Sequence, residues 1–419
     1  MRAKKLLVLL MASLFVVTLL AGCGKKPGSG SNNSADVEDG VEKITLKVWG
    51  PDEEMEITQQ MCEAFDEAHP EFECTFEISV VGVDESSANL VTDPDLAADV
   101  CITPSGSLSQ LDEAGLIYPI TYDIDNITAM YSEGALEACT RNGELYGLPS
   151  TPNTWFLYYN KNLFTEEEVK SLDTIMSKDL GDGIKNFSCA ISNSWYIEAF
   201  FYAAGCSLYG ADGTDPGDCS WNSADGYEVG KYLIDLVNND KYIENLDGIG
   251  ESLFNEGKLG VLCSGTWIAP GIEEALGEDW AAAPLPTVTI NGKESQLSNF
   301  ADYKCFVVKS NTKHPLAAQQ LAEWLNNEEN QLLRYQVAGA TPTCLSLLDN
   351  EELASDRATI ALIAQTEYAT PQPSISQINE YWSPVQAFGE GIINGEITEA
   401  NLQEMLDTMV DAITTKLVD

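Results

Sequence analysis

Strand-like and helix-like patterns alternate along most of this chain, and this alternation limits the folds that it can adopt. Residues 44–49, "ITLKVW", show the two-residue alternation of a strand. Apolar residues at helical spacing follow over 54–68, and a second strand pattern covers 72–80. A short apolar strand pattern, "ADVCIT", occupies 98–103. Strands that alternate with helices predict an α/β fold with parallel sheets.

The same alternation continues toward the C-terminal part, which is mainly helical. Extended runs are predicted at 143–151, 154–164, 259–265 and 303–310, and helices at 195–205, 221–238, 314–327, 328–336, 355–365 and 399–416. About 375 of the 419 residues remain after the N-terminal segment. That length exceeds what one hydrophobic core usually organises, so two lobes are expected.

The N-terminus has the features of a secretory leader over residues 1–22. Basic residues within "MRAKK" precede an apolar stretch over 6–21, which is shorter than the roughly 20 residues that span a bilayer comfortably. The stretch ends in "LAGC", which resembles the lipobox of bacterial lipoproteins. Cys23 is therefore the expected lipidation site, and a diacylglyceryl group would supply the two acyl chains that stable anchoring requires. A plain membrane anchor and an ordinary secretory signal are the alternatives.

Residues 23–42 predict a flexible tether. They are rich in Gly, Ser and Asn and have no apolar periodicity. A segment of this length has an r.m.s. reach of roughly 25 Å. The tether would therefore hold the folded part close to a membrane surface.

The chain is strongly acidic, with 22 Lys and Arg residues against 66 Asp and Glu residues and a net charge of −44. Such a surface repels nucleic acid and anionic lipid headgroups, so neither is an expected partner. Because the charges are spread along the sequence, they indicate a solvated acidic exterior rather than an interaction tail. A strongly anionic ligand is not expected either, and we expect a monomer.

The cysteine and histidine content argues against a metal centre. The chain has no C-x-x-C pair, and only His69 and His314 could supply imidazole ligands, so neither a zinc site nor another cofactor is expected. Most of the ten cysteines beyond Cys23 lie in apolar runs, where a free thiol packs as a small hydrophobic group. Buried free thiols are the favoured interpretation, and a Cys206–Cys219 disulfide is the alternative to be tested.

Several blocks of the sequence resemble, in their order, the maltose-binding type of extracellular solute-binding protein that serves ABC sugar importers. The most telling are "NGELYGLPSTPNTWFLYYNKNLF" and "FNEGKLGVLCSGTW", with "LKVWGPDEE" near the start and "INEYWSPVQ" near the end. The resemblance implies a two-lobed, periplasmic-binding-protein-like α/β fold with a hinge and an interlobe ligand cleft. It implies an N-lobe formed by 43–150 plus 303–350, and a C-lobe formed by 153–300 plus 355–419.

The aromatic residues are the first candidates for ligand contact. A neutral oligosaccharide presents apolar C–H faces and polar hydroxyl edges, so its receptor needs flat aromatic surfaces and multidentate polar groups. The resemblance implies sugar stacking by Trp195, Trp267 and Trp382. Positions near strand ends or turns add three further aromatic candidates, Trp49, Trp155 and Tyr196. The remaining tryptophans are expected to pack in the interior: Trp221, Trp280 and Trp324.

Two carboxylates follow the first strand directly. Asp52 and Glu53 lie where the family has polar sugar contacts, and the resemblance implies the same role here. The alternative is that they only stabilise the start of the helix that follows, where the helix dipole favours acidic residues.

Other polar candidates depart from the family's pattern. Asn153 and Asn193 stand where maltose binders typically have Glu, although an amide still offers one acceptor and two donors. The family's acidic and basic pair after the strand at 98–103 is missing, and Ser105 or Ser107 could take its place. These departures leave the sugar open between maltose or maltodextrin and another oligosaccharide.

No sequence motif indicates catalysis. The chain has no H-E-x-x-H, G-x-S-x-G, P-loop or G-x-G-x-x-G pattern, so it is not expected to be an enzyme. The resemblance implies a substrate-binding lipoprotein of an ABC importer, which would deliver a neutral sugar to permease subunits. The lipid on Cys23 would hold it at the outer face of the cytoplasmic membrane in a Gram-positive cell. The alternatives are a surface adhesion or structural lipoprotein of the same fold and a surface glycosidase, which needs two carboxylates.

Overall fold

The computed structural model describes residues 37–38 and 41–415. The predicted leader, Cys23 and most of the predicted tether lie outside these residues, as do the last four residues of the predicted C-lobe. Within the described part of the chain, no helix is long and apolar enough to cross a membrane.

Strands and helices alternate through the described residues. The strands are β1 (Val37–Glu38), β2 (Val41–Gly50), β3 (Phe72–Val80), β4 (Val100–Pro104), β5 (Thr140–Arg141), β6 (Glu144–Leu145), β7 (Leu148–Asn153), β8 (Phe156–Asn160), β9 (Lys185–Cys189), β10 (Tyr242–Glu244), β11 (Leu259–Ser264), β12 (Trp280–Ala283), β13 (Thr287–Ile290), β14 (Lys293–Gln296), β15 (Phe300–Val308) and β16 (Thr370–Pro371). The α-helices are α1 (Met55–Ala68), α2 (Val83–Thr92), α3 (Leu108–Glu113), α4 (Ile124–Ala129), α5 (Glu133–Ala138), α6 (Leu172–Ser177), α7 (Ser194–Ala204), α8 (Ala224–Val237), α9 (Ile249–Asn255), α10 (Ala269–Leu276), α11 (Pro315–Leu325), α12 (Glu328–Ala338), α13 (Glu351–Ser355), α14 (Arg357–Thr366), α15 (Trp382–Ile393) and α16 (Leu402–Thr414).

Two sheets organise the two lobes, and both are mixed. In the N-lobe the strand order is β1-β2-β4-β15-β16, with β3 beside β2 and β7 beside β15. In the C-lobe the order is β10-β9-β11-β8-β12. The two-lobed α/β fold is confirmed, but the expectation of parallel sheets was wrong.

Apart from the short β1, which is antiparallel to β2, the strands with reversed direction are β8 and β15, and each follows a passage of the chain between the lobes. Strand β2 is parallel to β3 and β4, whereas β15 is antiparallel to β4 and β7. In the C-lobe, β9 is parallel to β10 and β11, whereas β8 is antiparallel to β11 and β12. Strands β8 and β15 enter their sheets from the hinge, so they run opposite to strands that are connected by helices.

Each lobe has its own hydrophobic core. The N-lobe core consists of buried residues between 44 and 148 and between 305 and 325. The main C-lobe core draws on 155–300 and 378–413, and a smaller cluster that includes Phe156 and Tyr158 covers the other face of the same sheet. As predicted, the three packing tryptophans lie in or against these clusters: Trp221, Trp280 and Trp324. The exact lobe boundaries stay a prediction.

The ten cysteines of the described residues are free thiols, and eight of them are buried. This confirms the favoured interpretation. Cys206 and Cys219 lie on neighbouring extended segments joined by a Leu208–Cys219 bridge, but they form no disulfide.

A buried ion pair stabilises the N-lobe beside the end of β2. The Arg334 side chain is 2% exposed, and its Nε donates a hydrogen bond to Glu54 Oε2 at 2.9 Å. The guanidinium also donates to the Leu325 carbonyl and lies 4.7 Å from the centre of the Phe306 ring. Glu54 ends the short 3₁₀ turn over 52–54, so the ion pair fixes the conformation of that turn.

Replacing Arg334 by Leu should destabilise the N-lobe. The Glu54 carboxylate would remain buried without its partner, which typically lowers the free energy of unfolding by about 3–5 kcal/mol. Urea titration followed by circular dichroism measures this change. The exposed pair Lys170–Glu167 supplies the control, because solvent screens this pair and Lys170→Ala should leave the free energy of unfolding nearly unchanged. Equal losses in both variants would contradict the assigned role of the buried pair.

Candidate functional site

A cavity of about 1030 Å³ lies between the two lobes. Its walls come from the residues after β2 and β3, from α2, and from the starts of α7 and α15, with the hinge strands at its base. Ligands of α/β proteins bind outside the carboxyl ends of parallel strands, and β2, β3 and β11 all end at this cavity. We call it the interlobe cleft.

The N-lobe wall of the interlobe cleft combines carboxylates with apolar side chains. Asp52 and Glu53 line the cleft from the 3₁₀ turn that the Arg334–Glu54 ion pair holds in place. Further lining side chains come from the end of β3 and from α2: Val80, Val83, Asp84, Ser87, Val91 and Thr92. Two of these valines are well exposed, Val80 by 56% and Val91 by 41%.

The C-lobe wall is aromatic. Trp195 and Trp382 lie at the starts of α7 and α15, both half-buried, with ring centres 6.2 Å apart and ring planes inclined by 35°. Asn193 caps α7, since its side-chain oxygen accepts a hydrogen bond from the Trp195 backbone N–H at 2.8 Å. Tyr196 is largely buried but also reaches the cleft. The two indoles therefore form one continuous aromatic surface.

Trp267 adds a third indole to the cleft. Its side chain is 36% exposed and packs so closely on Gly265 that a Cβ atom at this glycine would lie 1.9 Å from a ring carbon. The Lys304 Nζ lies 5.4 Å from the centre of the Trp267 ring, within cation–π range. The absence of a side chain at position 265 and the neighbouring ammonium thus fix the orientation of this ring.

A hydrogen-bonded carboxyl joins the hinge strands to the N-lobe. Asp302 Oδ1 accepts hydrogen bonds from the Gly106 backbone N–H at 3.1 Å and from the Ser105 hydroxyl, and Oδ2 accepts one from Asn153 Nδ2 at 3.4 Å. Burial raises the pKa of Asp302 to about 6, although these hydrogen bonds lower it in part. The Asn153 amide is thus held by the hinge at the base of the cleft.

The interlobe cleft carries a negative net charge. Among its lining residues that the structure describes, Lys304 is the one basic side chain, against Asp52, Glu53 and Asp84. Loss of hydration raises the pKa of Asp84, and the charge of Lys304 lowers it in part. Such a cleft disfavours anionic ligands. Over residues 41–415, no group of three or more His, Cys, Asp or Glu side chains could hold a metal ion.

The structure brings most of the predicted ligand-binding residues together. Eight of the eleven line the cleft: Asp52, Glu53, Asn153, Asn193, Trp195, Tyr196, Trp267 and Trp382. That they contact a sugar stays a prediction.

Three predicted residues do not line the cleft, and their contact with a ligand stays a prediction. Trp155 is fully buried in the C-lobe core, and its Nε1 donates a hydrogen bond to the Trp195 carbonyl at 2.9 Å. Ser105 is buried directly after β4 in the N-lobe, and its alternative Ser107 is not among the lining residues. Trp49 packs against the N-lobe core.

Several lining residues were not predicted from the sequence: Asp84, Gln110, Lys304, Asn379 and Gln386. Asn379 and Gln386 flank Trp382 within the block "INEYWSPVQ", so their proximity in sequence was an available signal. Lys304 follows the hinge on β15, which only the crossing of the chain between lobes brings to the cleft. Gln110 and Asp84 carry no comparable sequence signal.

Two α/β lobes, crossing hinge strands and a cleft lined by both lobes define a class of two-lobed ligand-binding proteins. Residues 60–361, more than half of the chain, match the family described as bacterial extracellular solute-binding protein. The chain belongs to this family.

Individual relatives are similar to this chain over most of their own length. A galactooligosaccharide-binding protein from Bacillus subtilis (strain 168) is 28% identical over 413 residues, which are 94% of this chain and 93% of that protein. The maltodextrin-binding protein MdxE of the same organism is 25% identical over 342 residues, 77% of this chain and 79% of its own. A solved structure with acarbose has a TM-score of 0.83 and 31% identity, and the match covers 89% of this chain and 99% of the other.

Replacing Asp302 by Asn should remove a pH dependence of stability. The folded carboxyl holds its proton more tightly than an unfolded Asp, whose pKa is about 3.9. The wild-type protein should therefore lose stability relative to the variant as the pH rises from about 4 to about 6, by up to roughly 3 kcal/mol.

Urea titrations of both proteins across this pH range measure the difference. Asp235→Asn, at an exposed position of α8, is the matched control. A difference between wild type and Asp302→Asn that stays constant across this range would contradict the role assigned to burial of this carboxyl.

Proposed function

We propose that this protein is the substrate-binding lipoprotein of an ABC importer, which captures a neutral oligosaccharide in the interlobe cleft and delivers it to membrane permease subunits. The observation that carries the proposal is the aromatic wall formed by Trp195, Trp382 and Trp267 opposite polar groups of the other lobe. Aromatic faces bind the C–H faces of sugar rings, and polar groups bind their hydroxyls. The named relatives, which bind galactooligosaccharide and maltodextrin, support the same class of ligand.

The size of the cleft favours a chain of sugars over a single ring. A volume of about 1030 Å³ is at the upper end of the range of small-molecule sites. Covering about 100 Å² of sugar on one indole contributes roughly 2–3 kcal/mol. Three indoles and a few hydrogen bonds reach roughly −8 kcal/mol after the cost of association, which is a micromolar affinity.

The identity of the sugar is open between maltose or maltodextrin and another oligosaccharide. Asn153 and Asn193 provide amides where maltose binders typically have carboxylates, and Asn193 also caps α7. We propose that Asp52, Glu53 and Asn153 bind sugar hydroxyls, and that Trp195, Trp267 and Trp382 stack on sugar rings. Tyr196 and Asn193 complete the C-lobe contacts.

The protein is proposed to bind its ligand without chemical conversion. Members of this family are solute-binding proteins, and such proteins are not enzymes. Lobe closure around the hinge would enclose the sugar, and the closed monomer would dock on the permease. The anchor on Cys23 would keep the receptor at the outer face of the cytoplasmic membrane of a Gram-positive cell, after removal of the leader.

A panel of neutral glycans tests the ligand class. Calorimetry with maltose, maltotriose, cellobiose, raffinose and β-galactooligosaccharides should give micromolar binding for at least one sugar, with no product formed on prolonged incubation. Trp267→Ala and Trp382→Ala should each weaken binding by about tenfold, because each removes one stacking face. Trp324→Phe, in the N-lobe core, should leave the affinity unchanged. Cleavage of a sugar, or unchanged affinity in both alanine variants, would refute the proposal.

Cys23→Ala tests the anchor separately. The variant should appear in the culture medium while its affinity for the sugar is retained, since residue 23 precedes the folded lobes. Fractionation of cells and medium, with immunoblotting, measures this distribution. Retention of the variant in the membrane fraction would exclude lipidation at Cys23 as the means of attachment.

A further inference from the structure

One buried phenylalanine lies beneath the aromatic wall of the cleft. Phe300 is fully buried, and its ring centre is 5.9 Å from that of Trp195 and 6.2 Å from that of Trp382. Tyr202 and Tyr381 pack edge-on against the same ring at 5.7 and 5.6 Å. The indoles of Trp195 and Trp382 therefore both pack on the Phe300 ring, and a shift of this ring would displace both.

The backbone of Phe300 is held by side chains of the C-lobe. The Thr154 hydroxyl donates a hydrogen bond to the Phe300 carbonyl at 2.7 Å, and the Phe300 N–H donates one to Glu198 Oε1 at 3.2 Å. The neighbouring Asn299 amide donates to the Trp155 carbonyl at 2.6 Å. Hydrogen bonds to the N–H and the carbonyl of Phe300 therefore fix its backbone, and with it the position of its ring.

Glu198 is an unusual residue to find in this place. It lies on α7, one turn after Trp195, and its side chain has no exposed surface. Its Oε2 is buried and has no hydrogen-bond partner among the described residues. Burial raises the pKa of Glu198 well above its usual range, and the hydrogen bond from the Phe300 N–H lowers it only in part. Such a buried group costs stability. Besides the Phe300 N–H, the Trp155 side chain and the start of its own helix also interact with this carboxyl, and the Phe300 N–H is the contact that joins it to the support of the aromatic wall.

We propose that Phe300 positions Trp195 and Trp382 for stacking on the ligand, and that Glu198 is a positioning residue that holds Phe300 in place. Neither residue touches the ligand, since both are fully buried. The inference rests on the proposed function, because it concerns the aromatic wall of the same cleft. A change at residue 198 should therefore alter ligand affinity through the backbone of residue 300.

The first test compares two phenylalanines of equal burial. Phe300→Leu should weaken binding of the tightest sugar of the panel by about tenfold and should reduce the exciton band of the Trp195–Trp382 pair in circular dichroism. Phe254→Leu is the control, because Phe254 is also fully buried but packs on the opposite face of the C-lobe sheet. This control should keep the affinity within about twofold and should leave the exciton band intact. Equal effects of the two substitutions, or no effect of Phe300→Leu, would overturn the proposal.

The second test uses two substitutions at Glu198 and does not depend on Phe300→Leu being folded. Glu198→Gln has nearly the same shape and retains a side-chain oxygen that accepts a hydrogen bond from the Phe300 N–H, so the affinity and the exciton band should be retained. Glu198→Leu has a similar volume without an acceptor, so both should fall by amounts close to those of Phe300→Leu. Identical behaviour of the Gln and Leu variants would overturn the role of Glu198.

The exciton band separates failure of this inference from failure of the proposed function. It is measured without ligand, by subtracting the spectrum of Trp382→Phe from that of each protein. If the wild-type protein binds no sugar of the panel, the proposed function fails, but the band still reports whether Phe300 and Glu198 position the two indoles. Sugar binding with a band that is unchanged in Phe300→Leu and Glu198→Leu would overturn the inference alone.

Discussion

Over the first three residues of β15, Phe300 to Asp302, hydrogen bonds join the chain first to the C-lobe and then to the N-lobe. Phe300 is bonded to Glu198 and Thr154, and Asp302 is bonded to Ser105 and to the neighbouring backbone of the N-lobe. One residue separates the two sets of bonds. A rotation of one lobe against the other must therefore be absorbed over a very short stretch of this strand, which gives the hinge a defined axis.

The same strand connects the hinge to the ligand cleft. Its first residue supports the aromatic wall from below, and its fifth, Lys304, reaches the cleft beside Trp267. The two walls use different chemistry, since aromatic faces dominate the C-lobe side whereas carboxylates and exposed valines form the N-lobe side. An aromatic surface carries no net charge, and it binds a neutral ligand through apolar contact. A strongly acidic exterior is therefore compatible with capture of an uncharged solute, which the protein's field neither attracts nor repels.

The sequence predicted features that depend on local pattern or on family resemblance, and it failed where distant contacts decide. The α/β class followed from hydrophobic periodicity, and the cleft positions of Trp195, Trp267 and Trp382 followed from the resemblance. The burial of Trp155 could not be predicted, because it depends on a hydrogen bond to a carbonyl 40 residues later. The direction of a strand in its sheet depends on where the chain crosses between the lobes. These crossings cannot be predicted from a local sequence pattern.

Two cleft-lining helices escaped prediction for different reasons. Helix α2 buries only Ser86 and Leu90, so it has almost no apolar periodicity to detect. Helix α15 has Pro384 in its first turn, where proline is tolerated, although proline in a sequence more often signals a turn. Both helices line the cleft, where exposed or half-buried faces replace the usual amphipathic pattern.

The buried free thiols can report local unfolding of each lobe separately. Burial raises the pKa of Cys101 in the N-lobe core to about 12 and that of Cys206 in the C-lobe to about 11, so almost no thiolate is present at neutral pH. Alkylation requires a thiolate that reagents can reach, so these side chains should react only when their surroundings open. The rate of alkylation at each cysteine would then measure the opening free energy of one lobe independently of the other. Because the ten cysteines of the described residues are free thiols, the two lobes need no oxidant to reach this arrangement of their cysteines.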